Sequence, residues 1–236
     1  MHAVVTVEFH SAALARATTY TAFVPDAGAP PFAVLYQLHG ASDDHRAWLY
    51  KSNLLRYVEG LPLVVVMPSG ENSYYVDAWE RLVVEDLAAH VARTFRVRPG
   101  RAAIGGLSMG GYGAIRIGLK YAERFASIFA HSSRLPESGD DRDVDVVAAR
   151  VDRATMPALA FDCGTEDHLL ADSRRFHARL DALGLPHDYR EHPGAHTWDY
   201  WDTHVVTALT QHAEVFGIAR APEPVWPPVK DEETEG

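Results

Sequence analysis

Gly106-Leu107-Ser108-Met109-Gly110 sets one serine between two glycines, at the end of the apolar run Ala102-Ala103-Ile104-Gly105 and just before a helical pattern. A serine on so sharp a strand-to-helix turn is held in strained backbone geometry with its hydroxyl exposed above the sheet, and side chains at the glycine positions would collide across the turn. A serine hydroxyl is a weak nucleophile at neutral pH. It needs a base within hydrogen-bond reach, most often a histidine oriented by a carboxylate. For such an elbow the chain order is serine, acid, histidine. Downstream of Ser108 the strand-end acids are Asp162, Glu166 and Asp167, and His196 follows the last apolar strand in His192-Pro193-Gly194-Ala195-His196-Thr197-Trp198. Together these residue types can move an acyl group through a serine ester.

With 13 histidines in the chain, position has to choose the base. His177, His204 and His212 fall on expected helices and read as solvated or packed, while His187 and His192 bound a strand. His168 adjoins the candidate acid. His196 is the histidine in a loop at the correct sheet edge. Asp162 falls inside a strand, where it would be buried. Asp167 follows Gly164 on the loop and can turn inward, with Glu166 as the alternative acid. The tetrahedral intermediate also needs backbone donors. The Met109 amide opens a helix and gains from its dipole, and a second amide comes from the turn His39-Gly40-Ala41, with Ala41 preferred and Gly40 the alternative. Gly40, Tyr74 and Trp198 lie in strand-end loops and are candidates to contact substrate. His192 and His196 have metal-ligand spacing, but Pro193-Gly194 prevents the helix that would put both on one face. No P-loop lysine follows the glycines and no G-x-G-x-x-G opens a helix, so neither metal nor cofactor is expected. Cys163 reads as a buried strand residue.

The elements that would position these groups follow from hydrophobic pattern. Residues 3–9 and 19–24 alternate, predicting two antiparallel strands at a sheet edge. The runs 32–38 and 61–67 are continuously apolar, as in strands covered on both faces. Further strands are expected at 125–129, 157–162 and 187–191. Helices are expected over about 46–58, over 79–95 (Val83, Leu87, Val91 and Phe95 recur every four residues), after Ser108 to about Tyr121, around Phe176–Leu183, and from Trp201 to Phe216. The stop order Gly184, Pro186 closes the fourth of these. Residues 134–155 read as polar and irregular, too short for a lid domain. Alternating strands and helices imply a mostly parallel sheet with helices on both faces, whose working loops lie at the carboxyl ends of the strands.

The chain's 236 residues fit one domain, expected over 1–220, with a Pro- and Glu-rich tail at 221–236 expected to be disordered. A formal charge of −10 argues against nucleic-acid and anionic-membrane partners, which need a basic face. A single cysteine rules out an internal disulfide. No basic, apolar leader opens the chain and no apolar run approaches ~18 residues, so a cytoplasmic protein acting on a small molecule is expected. Self-association into a homo-oligomer is left open.

Five motifs in order, Leu38-His39-Gly40, Met67-Pro68-Ser69-Gly70 with Asn72-Ser73, Gly106-Leu107-Ser108-Met109-Gly110-Gly111, Cys163-Gly164-Thr165-Glu166-Asp167 and Gly194-Ala195-His196-Thr197-Trp198, make the chain resemble the esterase D family of the α/β-hydrolase fold. That family includes tributyrin esterases, feruloyl esterases, S-formylglutathione hydrolases and mycolyltransferases. The resemblance implies Ser108 as nucleophile, Asp167 as acid and His196 as base, with the amides of Met109 and Ala41 as oxyanion hole, and is closest to the compact tributyrin-esterase-like members. It implies a serine carboxylesterase, and with no stretch long enough for a lid domain, short acyl esters are the expected substrates. An acyltransferase or thioesterase of the same family is the alternative, and a non-catalytic binding protein on the same fold a more distant one.

Overall fold

The computed structural model describes residues 3–219; the segment 221–236 lies outside the described residues. Eight strands form one sheet: β1 (Ala3–Ser11), β2 (Arg16–Val24), β3 (Ala33–Leu38), β4 (Leu63–Pro68), β5 (Ala102–Leu107), β6 (Phe125–His131), β7 (Ala158–Gly164) and β8 (Asp188–His192). Their spatial order is β1-β2-β4-β3-β5-β6-β7-β8. The β1–β2 and β2–β4 pairs are antiparallel and every other pair is parallel. The alternating N-terminal strands thus form the edge hairpin that their pattern implies.

The continuous apolar runs have a simple cause. Side chains alternate across a strand, and both faces of the central strands are covered. On one face Val34, Tyr36, Leu38, Val64 and Val66 join a core that includes Val83, Leu87, Ile115, Phe176 and Leu180. On the other, Ala33, Leu35, Leu63, Val65 and Met67 join Trp48, Leu54, Trp201, Val205 and Leu209. A helix at each position was expected, yet two are more broken than periodicity suggests. In place of one helix over 46–58 there are α1 (Ala47–Lys51) and α2 (Leu54–Tyr57). Ser52 between them is extended, and the Asp202 carboxylate accepts from both the amide and the side-chain NH2 of Asn53.

The second departure is in 78–94, where α3 (Ala78–Arg81) passes through a π-helical turn (Leu82–Leu87) into α4 (Ala88–Thr94). Apolar positions every four residues drift around a 3.6-residue helix by roughly 120° in three steps. The wider i→i+5 turn takes back part of that drift and keeps Val83, Leu87 and Val91 on the sheet.

The serine turn leads into α5 (Met109–Lys120), which is buried on every side from Met109 to Leu119. The segment after β6 is not wholly irregular. It contains α6 (Val144–Ala148), packs Leu135, Val144 and Val147 into the core, and is bonded to α5 through Tyr112 Oη to the Arg142 carbonyl (2.6 Å) and Arg116 Nε to the Asp141 carbonyl (2.7 Å). Buried Arg116 also pairs with buried Glu80. The remaining helices are α7 (Leu170–Leu183), ended by Gly184 in the left-handed region at φ 61°, and α8 (Trp198–Val215). No helix of the described residues is long and apolar enough to cross a membrane.

Candidate active site

The parallel strands bring the loops after β3, β4, β5, β7 and β8 to one sheet edge. Ser108, between β5 and α5, has φ 53° and ψ −115°, a conformation that costs a non-glycine residue on the order of 1–3 kcal/mol. It persists because its surroundings fix it on both sides. The Ser108 amide donates to the His131 carbonyl (2.9 Å), and the Ser108 carbonyl accepts from the amides of Tyr112 (3.0 Å) and Arg134 (3.2 Å). The flanking glycines are required sterically. A Cβ on Gly106 would sit 2.6 Å from the Gly110 carbonyl, and one on Gly110 would sit 2.6 Å from the carbonyl oxygens of Leu38 and His39.

The loops after β7 and β8 are laced together by Thr165 N to the His192 carbonyl (2.8 Å) and Glu166 N to the Gly194 carbonyl (2.9 Å). This lacing delivers His196 to Asp167. Asp167 Oδ2 lies 2.8 Å from His196 Nδ1, and His196 Nε2 lies 3.0 Å from Ser108 Oγ. Asp167 Oδ1 accepts from the Leu169 amide at 2.8 Å. Burial by itself raises the Asp167 carboxyl, but the bonds from His196 and Leu169 outweigh it and hold the group below its ordinary value. The side chain is 0% exposed, whereas Glu166 is exposed. Of the two loop acids, Asp167 is the one turned inward.

The turn after β3 also reaches the serine, since a Cβ on Gly40 would lie 3.7 Å from Ser108 Cβ. Its bracing comes from residues whose part sequence reasoning missed. The His39 ring accepts from the Gly70 amide at Nε2 (2.8 Å), so its proton sits on Nδ1 and is donated to the Gly40 carbonyl (2.7 Å). Burial pushes the His39 imidazole down, keeping it neutral. The Tyr75 hydroxyl accepts from the His39 amide (3.2 Å), and Asn72 Oδ1 accepts from the Ser42 amide (2.6 Å). The signal was present in Ser69-Gly70 and Asn72-Ser73, which stood out as a motif without an assigned task.

Ala41, beside Gly40, is exposed, and Met109 opens α5. As a first-turn helical residue Met109 has no intrahelical acceptor for its amide. The two aromatic candidates sit farther out. Tyr74, 38% exposed, has its ring 6.1 Å from that of Tyr112, and Trp198 packs edge-on against Trp48 (5.2 Å) and Trp201 (5.4 Å). Two rings do touch His196: Trp201 at 4.8 Å and His168 at 4.7 Å. Asp162 is buried inside its strand as expected, bonded by His131 and Tyr200. Cys163 is buried too, and burial pushes its thiol up to about 12, which leaves it protonated and inert at neutral pH.

Comparison with known proteins agrees with this architecture. The chain is 27% identical to an acetyl esterase of Caldicellulosiruptor saccharolyticus, over 90% of this chain and 99% of that one. Its fold is similar to that of the fluorophosphonate-binding serine hydrolase F of Staphylococcus aureus, with a TM-score of 0.80 at 24% identity over 89% of this chain and 98% of that one. It is similar also to an S-formylglutathione hydrolase from Agrobacterium tumefaciens, with a TM-score of 0.82 at 23% identity over 90% of this chain and 95% of that one. Residues 11–212 match the family model described as Esterase. With the α/β-hydrolase sheet and a serine at its elbow, the chain belongs to that esterase family and is a carboxylic ester hydrolase.

Proposed function

We propose that the chain hydrolyses short-chain acyl esters through a covalent acyl-enzyme on Ser108, with His196 as general base and Asp167 as its orienting acid. The observation that carries this is the continuous relay from Asp167 Oδ2 to His196 Nδ1 (2.8 Å) and from His196 Nε2 to Ser108 Oγ (3.0 Å). With the Nδ1 proton donated to Asp167, Nε2 is free to take the hydroxyl proton as Oγ attacks the ester carbonyl. The carbonyl oxygen becomes an oxyanion, held by the amides of Met109 and Ala41. Collapse breaks the C–O bond to the alcohol, which leaves with the proton from His196. Water, deprotonated by the same imidazole, then cleaves the acyl-serine and releases the acid. His196 must be neutral to accept the first proton.

The preference for short acyl chains is supported by where residues 134–155 go. They are tied down on α5, and the Leu135 carbonyl accepts from Arg175 of α7 (2.6 Å), which leaves no segment there to roof a long apolar channel. A long chain then finds little surface on which to gain the ~0.8 kcal/mol per buried methylene. Walls for the first few carbons come from Gly40 and from residues such as Tyr74 and Trp198. A small-molecule ester as partner, rather than nucleic acid or an anionic membrane, accords with the formal charge of −10, and a cytoplasmic setting with the single free cysteine.

A panel of p-nitrophenyl esters tests the reading. Acetyl to butyryl esters are turned over best, with a clear drop by octanoyl, and a fluorophosphonate adds one mass increment to the peptide holding Ser108. Rates that keep rising to palmitoyl would overturn the size assignment, and a label on any other residue would overturn the mechanism.

A further inference from the structure

A second group of histidines and a carboxylate stands behind the serine site. His131 on β6 is the sheet partner of Asp162 on β7, and Asp162 is the partner of Arg190 on β8. Side chains of paired residues share a face, so His131, Asp162, Arg190 and, two residues on, His192 project together. Helix α8 covers that face and brings Tyr200 and His204, spaced i and i+4 on one side of the helix. The His192 and His204 rings stack at 4.2 Å, and ligand atoms of Asp162, His192 and His204 all lie within 4.8 Å of one another. Arg190 bonds Asp188 at 2.5 Å.

We propose that Asp162, His192 and His204 form a binding site for a zinc ion. Two neutral imidazoles and one carboxylate are a donor set suited to that metal, with water as fourth ligand. Tetrahedral zinc at about 2.0–2.1 Å from each donor spaces the ligand atoms by about 3.3 Å, so closing the site draws them together by up to about 1.5 Å and turns the stacked rings until one nitrogen of each points at the ion. What separates this cluster from a chance surface grouping is its support. Asp162 is 2% exposed, its Oδ1 accepts from the Tyr200 hydroxyl (3.1 Å), and His131 Nδ1 faces both its oxygens, at 2.9 Å from Oδ1 and 3.0 Å from Oδ2. A ligand carboxylate fixed by outer hydrogen bonds is how proteins orient metal ligands. The histidines are half-buried, which leaves a path from solvent.

Two other clusters are weaker. In His177, Asp181 and His187 the two rings bond each other at 2.7 Å and Asp181 is largely exposed. Asp167, His168 and His196 use the pair already committed to Ser108. In sequence, the metal-like spacing of His192 and His196 is ruled out by Pro193-Gly194; the fold sets His192 beside His204 instead. Zinc held by His192 and His204 would bracket the segment that carries His196 and tie the end of β8 to α8 and β7. It is a brace for the site rather than part of the reaction.

The test is a zinc titration of the chelator-stripped chain, read by competition with a chromogenic chelator and by thermal unfolding. One equivalent is expected to bind. Tm is expected to rise by roughly 5–10 °C when free zinc exceeds its dissociation constant about a hundredfold. His192→Ala and His204→Ala each weaken binding by at least about 100-fold, whereas His177→Ala and His168→Ala leave it unchanged. Cobalt loaded into the unmodified chain gives the visible absorption of a tetrahedral centre, a readout that does not depend on any variant folding. Absence of binding in the unmodified chain, binding indifferent to His204, or binding lost on fluorophosphonate labelling of Ser108 would each overturn the assignment.

Discussion

The molecule contains two histidine–carboxylate pairs of nearly the same geometry, five residues apart on one strand and its loop. Asp167 meets His196 Nδ1 at 2.8 Å, and Asp162 meets His131 Nδ1 at 2.9 Å. They differ in what lies beyond the imidazole. His196 is 22% exposed and turns Nε2 to Ser108 Oγ, whereas His131 is fully buried and its Nε2 has no hydrogen-bond partner. Position along the chain decides this. Asp162 is inside β7, where alternation sends its side chain under α8, and Asp167 follows Gly164 into the loop at the sheet edge. A His–Asp pair is therefore no signature of chemistry by itself. In the proposed mechanism, the third group and the edge of the sheet make it one.

The contrast can be broken most forcefully from the reacting side. Ser108→Ala is expected to lower kcat by about 10⁶ while the fold survives, since the residues of such a relay act as a unit. Asp167→Asn is expected to cost about 10⁴, because the imidazole loses its orienting partner. If Glu166→Gln has the larger effect, the acid is misassigned. On the buried side the expectation reverses. His131→Ala, assayed with chelator present, keeps kcat within about fivefold but loses about 3 kcal/mol of stability in urea unfolding, for breaking a buried pair and leaving space behind it. A large rate loss in His131→Ala without loss of stability would erase the distinction between the pairs.

How much of this could be read from sequence depends on whether the signal is local. The serine elbow is local: strand, glycines and helix are contiguous, and Ser108 at φ 53° is what that spelling demands. Buried strands were legible for the same reason, since cover on both faces leaves an unbroken apolar run. The break at Ser52–Asn53 was not, because its cause is Asp202, 149 residues away from Asn53. Nor was the π turn, which trades helix phase for contact with the sheet. His39, Asn72 and Tyr75 were visible as residues but not as braces, because each acts on a loop that only the sheet brings near.

The pH dependence of stability sharpens the comparison on the buried side. His212 of α8, bonded to Ser127 Oγ at 2.8 Å, is lowered to about 3 by burial. An unfolded histidine takes up its proton near ~6.5. Its contribution to stability is thus complete above that value and is lost as pH falls toward 3, because over that window the unfolded chain binds a proton that the folded chain refuses. The expected slope is at most about 1.4 kcal/mol per pH unit. Urea midpoints between pH 7 and 4 should fall less steeply in His212→Gln, and an unchanged slope would show that other groups set the acid limit.

The smallest effect concerns the surface pair's second imidazole. His168 is exposed, its ring stands 4.7 Å from that of His196, and its Nδ1 is 3.6 Å from Asp167 Oδ1. Trp201 fills the other side of His196 at 4.8 Å. His196 is thus held between two rings, and of these His168 can be removed without opening the core. An aromatic contact at so open a position is worth about 0.5–1 kcal/mol, or a two- to fivefold change in rate by the tenfold-per-1.36 kcal/mol rule. His168→Ala should therefore lower kcat by that modest factor, and His168→Phe should restore it, since a ring without a proton suffices for support. The buried pair has a fixed neighbour in the same role: the Phe129 ring stands 4.9 Å from His131. If His168→Ala instead cost more than 100-fold and phenylalanine failed to rescue it, His168 would be handling a proton. The line between a pair that reacts and rings that only steady it would then have to be redrawn one residue further out.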